Sequence, residues 1–239
     1  MQVIGTVGLP GSGKGEAATV AHEEGVPVVT MGDVVRRATR ERGLDPAEHH
    51  GEVATALREE EGPTAIAERS IPLIREAVAE AGEDVDTVLV DGLRSLVEVE
   101  CFEDEFGADF LIVSVEAPFE TRAERLGARG RDASDADLQA LRDREERELG
   151  FGMGEVMDRA DVVVDNAGDL EPFRERVRTL LRDGPGALVD DEGVNLRDGL
   201  GSGSESESES ESDSASGSGS DRAPDAGGQD EREREQHAE

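Results

Sequence analysis

Five short apolar runs punctuate the chain, at residues 3–7 (VIGTV), 26–30 (VPVVT), 87–90 (TVLV), 110–115 (FLIVSV) and 161–164 (DVVV). Their apolar residues fall on successive positions, so an extended backbone would present them on both faces. Strands apolar on both faces are those of a parallel sheet covered on each side. Between the runs, residues 16–24, 32–42, 65–81, 96–106, 121–129, 135–149 and 170–181 space their apolar positions three or four apart, which predicts amphipathic helices. Alternating strands and helices predict an α/β domain: a five-stranded parallel sheet inside a three-layer sandwich. That domain spans residues 1–183, a size suited to one core. Residues 184–200 read as a linker. Residues 201–239 hold 12 acids and 3 arginines on a Ser/Glu/Gly background without a large apolar side chain. Such a segment cannot bury enough surface to offset its ordering entropy, so a disordered acidic tail is expected.

Charge narrows the class further. The formal net charge is −33, and removing the tail's net −9 leaves −24 on residues 1–200. Acid excess on a folded domain, with arginine replacing lysine and 3% aromatics, suits a high-salt cytoplasm, where screening weakens self-repulsion. No basic stripe exists to neutralise phosphates of a nucleic acid, so no nucleic-acid partner is expected. Cys101 is the single cysteine and can form no internal disulfide. No apolar run approaches 18 residues, and the chain enters its first strand without a signal-like segment, so a cytoplasmic protein with no membrane partner is expected. The sequence does not fix the oligomeric state.

Chemistry concentrates after the first strand. Gly8-Leu9-Pro10-Gly11-Ser12-Gly13-Lys14-Gly15 contains the only lysine of the chain; the other 24 basic residues are arginine. Glycines let successive N–H groups converge as an anion nest at a helix N-terminus. A compact ammonium can enter such a nest where a planar guanidinium cannot. The spacing G-x-x-x-x-G-K matches a nucleotide-phosphate loop. These residues are the expected ATP-binding segment, with Lys14 bridging the β- and γ-phosphates.

Four further segments carry a family resemblance. Met31-Gly32-Asp33-Val34-Val35-Arg36 follows the second run and resembles the Thr-Gly-Asp…Arg element of adenylate kinases, with Met31 at the threonine position. Asp33 would cap a helix there. Val90-Asp91-Gly92-Leu93-Arg94 resembles the Asp-Gly-Phe-Pro-Arg stretch of the same enzymes, with the arginine one residue earlier and no proline. Arg125, Arg129 and Arg131 resemble the arginines of a short lid, with Gly127 and Gly130 giving hinge freedom. Residues 161–168 (DVVVDNAG) look like the last strand and adenine-side turn of dephospho-coenzyme A kinases.

Over residues 1–183 the chain is similar to an uncharacterised archaeal family of P-loop nucleotide kinases, related to adenylate, cytidylate and dephospho-coenzyme A kinases. The resemblance implies a nucleoside monophosphate kinase-like fold and an ATP- and Mg2+-dependent phosphotransferase acting on a small-molecule nucleotide. Arg36 and Arg94 would seat the acceptor, Asp91 would orient hydrated magnesium, and Arg125, Arg129 and Arg131 would act with Lys14 on the transferring group. Arg142, Arg144 and Arg147 lie among acids at helical spacings that make local ion pairs the ordinary explanation. Most P-loops have Ser or Thr where this one has Gly15, and Glu16 adds a negative charge beside the metal position. Two other readings stay open: a regulatory switch that hydrolyses ATP slowly without an acceptor, and a dephospho-coenzyme A kinase.

Overall fold

A computed structural model describes residues 1–82, 85–129 and 138–197, apart from the side chain of Arg129. Strands β1 (Gln2–Val7), β2 (Val28–Thr30), β3 (Thr87–Asp91), β4 (Phe110–Glu116), β5 (Val162–Asp165) and β6 (Val194–Leu196) form one sheet in the order β2-β3-β1-β4-β5-β6. The first five run parallel, and β6 pairs antiparallel with β5. The expected five-stranded parallel sheet is therefore corrected to six strands. Residues 184–200, expected as a linker, supply β6 and a short 3-10 turn at Pro185–Leu188. Val194 explains the extra strand: it is buried and joins the core beside Val164.

Side-chain alternation along the strands builds the two outer layers. Val3 and Val7 of β1, Val88 and Val90 of β3, and Ile112 of β4 face one core, with Phe102, Ile74 and Val34. Ile4, Leu89, Leu111 and Val113 face the other, with Val20, Phe173 and Leu180. The helices are α1 (Lys14–Glu23), α2 (Met31–Glu41), α3 (Pro46–Glu61), α4 (Ala65–Ala81), α5 (Leu96–Phe106), α6 (Phe119–Arg129), α7 (Leu138–Glu148), α8 (Gly154–Asp158) and α9 (Leu170–Asp183). Helices α2, α4, α5 and α8 cover the first face, and α1 and α9 the second. A small third cluster of Ala123, Leu126 and Leu141 joins α6 to α7. This is the three-layer P-loop kinase-like sandwich.

Helix α3 lies outside the expected elements. Its start is nonetheless written locally: Asp45 Oδ1 accepts from Ala47 N at 2.9 Å and Pro46 occupies the first turn. Val53 and Leu57, four apart, are its buried contacts. Asp33 differs from expectation in the opposite sense. Thr30 is the N-cap residue of α2, so Asp33 stands within the first turn and its carboxylate is available to a side chain. The expected short lid falls on residues 129–134, which, apart from the Arg129 backbone, lie outside the described residues. Residues 201–239 lie outside them as well.

Candidate active site

The carboxyl ends of β1 and β3 converge because the two strands are paired in parallel, with Thr6 opposite Asp91. Gly5 makes that convergence possible. A Cβ there would lie 2.6 Å from Leu93 Cδ1 and 3.0 Å from the Phe110 ring, so glycine lets the Leu93 side chain lie against the strand without displacement. The turn after β3 is then tied back to β1: Leu93 N donates to Thr6 O at 3.1 Å, and Thr6 Oγ1 donates to Asp91 Oδ1 at 2.9 Å.

Between β1 and α1 the phosphate loop adopts left-handed backbone at Gly11 (φ 81°) and Gly13 (φ 121°). Both positions also exclude a side chain. A Cβ at Gly11 would meet Arg122 O at 2.7 Å, and one at Gly13 would meet Asn166 Nδ2 at 2.2 Å. Ser12 N donates back to Leu9 O at 3.1 Å, whereas the amides of Gly11, Gly13, Lys14 and Gly15 find no main-chain acceptor among the described residues. The Ser12 hydroxyl is buried without a partner. Free N–H groups, an orphaned hydroxyl and a helix N-terminus together form an anion nest.

Lys14 folds into this nest, its Nζ donating to Gly8 O and, at 3.4 Å, to Leu9 O. Burial pushes its ammonium below the usual lysine range. Asp91 and Glu148 oppose that shift, and Arg94 and Arg144 add to it. These four residues are therefore the charges that surround the ammonium. Asp91 and Arg94 were expected there; Glu148 was not. Arg144 Nε donates to Glu148 Oε1 at 3.1 Å, the i,i+4 pair that their spacing predicts.

On the β2–β3 side, Arg36 lies midway along α2, with Nε donating to Asp33 Oδ1 at 2.8 Å. Gly32 leaves room for the guanidinium, since a Cβ there would sit 3.2 Å from Arg36 Nη1. Arg94 is exposed, and its guanidinium has no partner among the described residues. Its main chain is fixed instead: Arg94 N donates to Glu98 Oε2 at 2.9 Å, and Ser95 Oγ caps α5 by accepting from Glu98 N at 3.4 Å. Glu98 is 1% exposed and also accepts from Arg58 Nη2 of α3 at 3.0 Å. One carboxylate thus joins the turn bearing Arg94 to the helix bearing His50. Arg36 and Arg94 both act electrostatically on His50.

On the β4–β5 side, Asn166 is 3% exposed and braces the loop, Nδ2 donating to Ser12 O at 2.7 Å. Arg125 Nη2 donates to Asn166 O at 2.9 Å, and its Nη1 is buried without a partner. Arg122 is buried and engaged with Glu145, with Ala117 O at 2.9 Å and with Pro10 O at 3.3 Å. It holds the loop in place from behind. Glu16 turns away from the nest toward Arg174 of α9, which also takes Glu23. Arg131 and the side chain of Arg129 lie outside the described residues. Sequence reasoning missed Glu98, Arg58, Glu148 and His50. Their signals are a Ser-x-x-Glu capping pattern at 95–98 and helical spacing to an arginine, neither of which names a site.

Residues 7–142 match a family described as an AAA domain. The chain is 53% identical over 192 residues to a UPF0200 protein of Halobacterium salinarum, covering 80% of this chain and 98% of the relative. It is 46% identical over 182 residues to a UPF0200 protein of Methanosarcina mazei, covering 76% and 94%. Among solved structures, TT1252 from Thermus thermophilus shares the fold with a TM-score of 0.53 at 21% identity, covering 76% of this chain and 97% of that one.

Proposed function

The chain belongs to the UPF0200 family of archaeal proteins and carries an AAA-family domain, and from that premise we propose that it is an ATP- and Mg2+-dependent phosphotransferase whose acceptor is a small phosphorylated molecule, a nucleotide. The observation that carries this reading is the nest itself: Lys14 is the chain's one lysine, and it is held among amides that have no main-chain acceptor among the described residues. In the loaded state Lys14 would exchange the carbonyls of Gly8 and Leu9 for β- and γ-phosphate oxygens. The amides from Gly11 to Gly15 would cradle the phosphates, within the segment Gly8-Leu9-Pro10-Gly11-Ser12-Gly13-Lys14-Gly15. The turn from Asn166 to Gly168 would flank the adenine.

Magnesium, when bound, would supply neutralisation of the phosphate charge. The ion would be held mainly by the ATP oxygens and water, with Asp91, at the end of β3, orienting the water. Arg36 and Arg94 would seat the acceptor phosphate. Arg125, through its partnerless Nη1, would join Arg129 and Arg131 over the transferring group. Positioning and charge neutralisation then supply most of the acceleration, with no protein nucleophile. The acidic, lysine-poor surface supports work in a high-salt cytoplasm, and no described helix is long and apolar enough to cross a membrane.

A panel of nucleoside monophosphates and dephospho-coenzyme A, assayed for ATP consumption in molar potassium chloride, tests the assignment. One acceptor should stimulate turnover, and Lys14→Arg should abolish it. Slow ATP hydrolysis that no acceptor stimulates, unchanged by Arg36→Ala, would replace this reading with that of a regulatory switch.

A further inference from the structure

We propose that His50 is a third ligand of the acceptor's phosphate, closing a cradle whose other two arms are Arg36 and Arg94. The inference rests on the phosphotransferase reading above and gives its acceptor site a specific anion geometry.

Three independent observations converge on this imidazole. The first is placement. Helix α3 packs on α2, and Glu98 links it to the turn that carries Arg94, so His50 comes from a different element than either arginine. The second is that His50 Nδ1 is buried and has no hydrogen-bond partner. A sheltered ring nitrogen without a partner is costly unless a ligand completes it. Its neighbour offers a contrast: His49 Nδ1 lies 3.1 Å from Glu52 Oε2, so that imidazole is already engaged on the outer face of α3.

The third is electrostatic. Burial, then the charges of Arg36 and Arg94, push the His50 imidazolium below the ordinary histidine value, and Asp33 alone opposes them. Asp33 is itself occupied by Arg36. His50 thus feels two guanidinium charges, and the one carboxylate that acts on it is shared with Arg36. A phosphate monoester dianion offsets the two arginine charges and supplies the anion that burial withholds from the ring. It accepts from two guanidinium groups and from the imidazole N–H, and it draws a proton onto His50 as it binds. A neutral sugar or a bare hydroxyl would leave the repulsion in place. The site therefore selects an acceptor that already carries a phosphate.

The chain has four histidines, His22, His49, His50 and His237, so isotope-labelled imidazoles can be followed individually by NMR in the full-length protein. Titrating inorganic phosphate, and separately AMP and CMP, should shift the His50 resonances and raise its pKa, leaving His22 and His49 unmoved. In the panel assay, His50→Phe should raise the acceptor KM about 10- to 100-fold, as expected for one lost hydrogen bond to a charged group, with the ATP KM unchanged. His50→Gln, which restores an N–H donor, should recover part of that loss. Unmoved His50 resonances in saturating phosphate would overturn the cradle. So would an acceptor that is turned over with an unchanged KM in His50→Phe. A panel in which nothing is phosphorylated while phosphate still moves His50 would fell the kinase assignment and leave the anion site standing.

Discussion

Glu98→Gln separates the acceptor arm from the nucleotide arm. The carboxylate is 1% exposed and accepts two charge-sensitive hydrogen bonds, from Arg94 N at 2.9 Å and Arg58 Nη2 at 3.0 Å. Glutamine keeps the volume and one acceptor oxygen but turns an NH2 toward the second donor. Hydrogen bonds to charged groups contribute about 1.5–3 kcal/mol each, and neutral ones about 1 kcal/mol. The Arg58 side chain is 35% exposed, so water takes over part of what it loses. The net cost is about 2–4 kcal/mol, which for a folded unit of this size lowers the melting temperature by about 5–15 °C. The functional consequence is directional. Glu98 fixes the backbone of Arg94 and anchors the helix of His50, but it touches no part of the phosphate loop. ATP affinity by calorimetry should stay within about twofold of wild type while acceptor KM rises at least about tenfold. A melting temperature within about 2 °C of wild type would refute the energetic argument. Equal losses at both substrates would refute the separation of arms.

Three further outcomes follow from the same geometry. Gly13→Ala should abolish ATP binding by calorimetry while the protein stays folded by circular dichroism, because the new methyl would collide with Asn166 Nδ2 at 2.2 Å. Arg122→Leu should lower stability in chemical denaturation by about 3–5 kcal/mol, since it strands Glu145 without its cation; Arg122→Leu combined with Glu145→Leu should recover most of the loss. The depressed pKa of His50 means that the unfolded chain binds its proton more readily, so stability should decline as pH falls below about 6.5. His50→Gln should flatten that acid limb in thermal melts, and an unchanged limb would remove His50 from the account.

The layer architecture was legible because strand burial on both faces is a continuous sequence signal. The runs at 3–7 and 110–115 appear as β1 and β4 with only small boundary changes. The phosphate loop was legible because its glycines answer backbone constraints that tolerate no substitute, as Gly11 and Gly13 show. β6 was missed because three residues carry no periodicity, and Val194 reveals itself only against Val164. α3 was missed because two buried apolar positions over sixteen residues leave a weak stripe. Asp33 misled because an acid near a helix start reads equally well as cap or first-turn residue; the hydrogen bond to Arg36 decides it. Glu98 and His50 take their significance from partners on other elements, such as Arg58 for Glu98, 40 residues away, and no local pattern encodes those.

Both rims of the sheet end in strands of three residues, β2 and β6. A free strand edge is a template for another chain, and its reach scales with the length of its unpaired amides and carbonyls. Three residues provide too short a ladder to hold a foreign strand in register. Among the described residues the helices present solvent faces rich in Glu, Asp and Arg, and a contact made on those faces should slacken or tighten with the ionic strength around it.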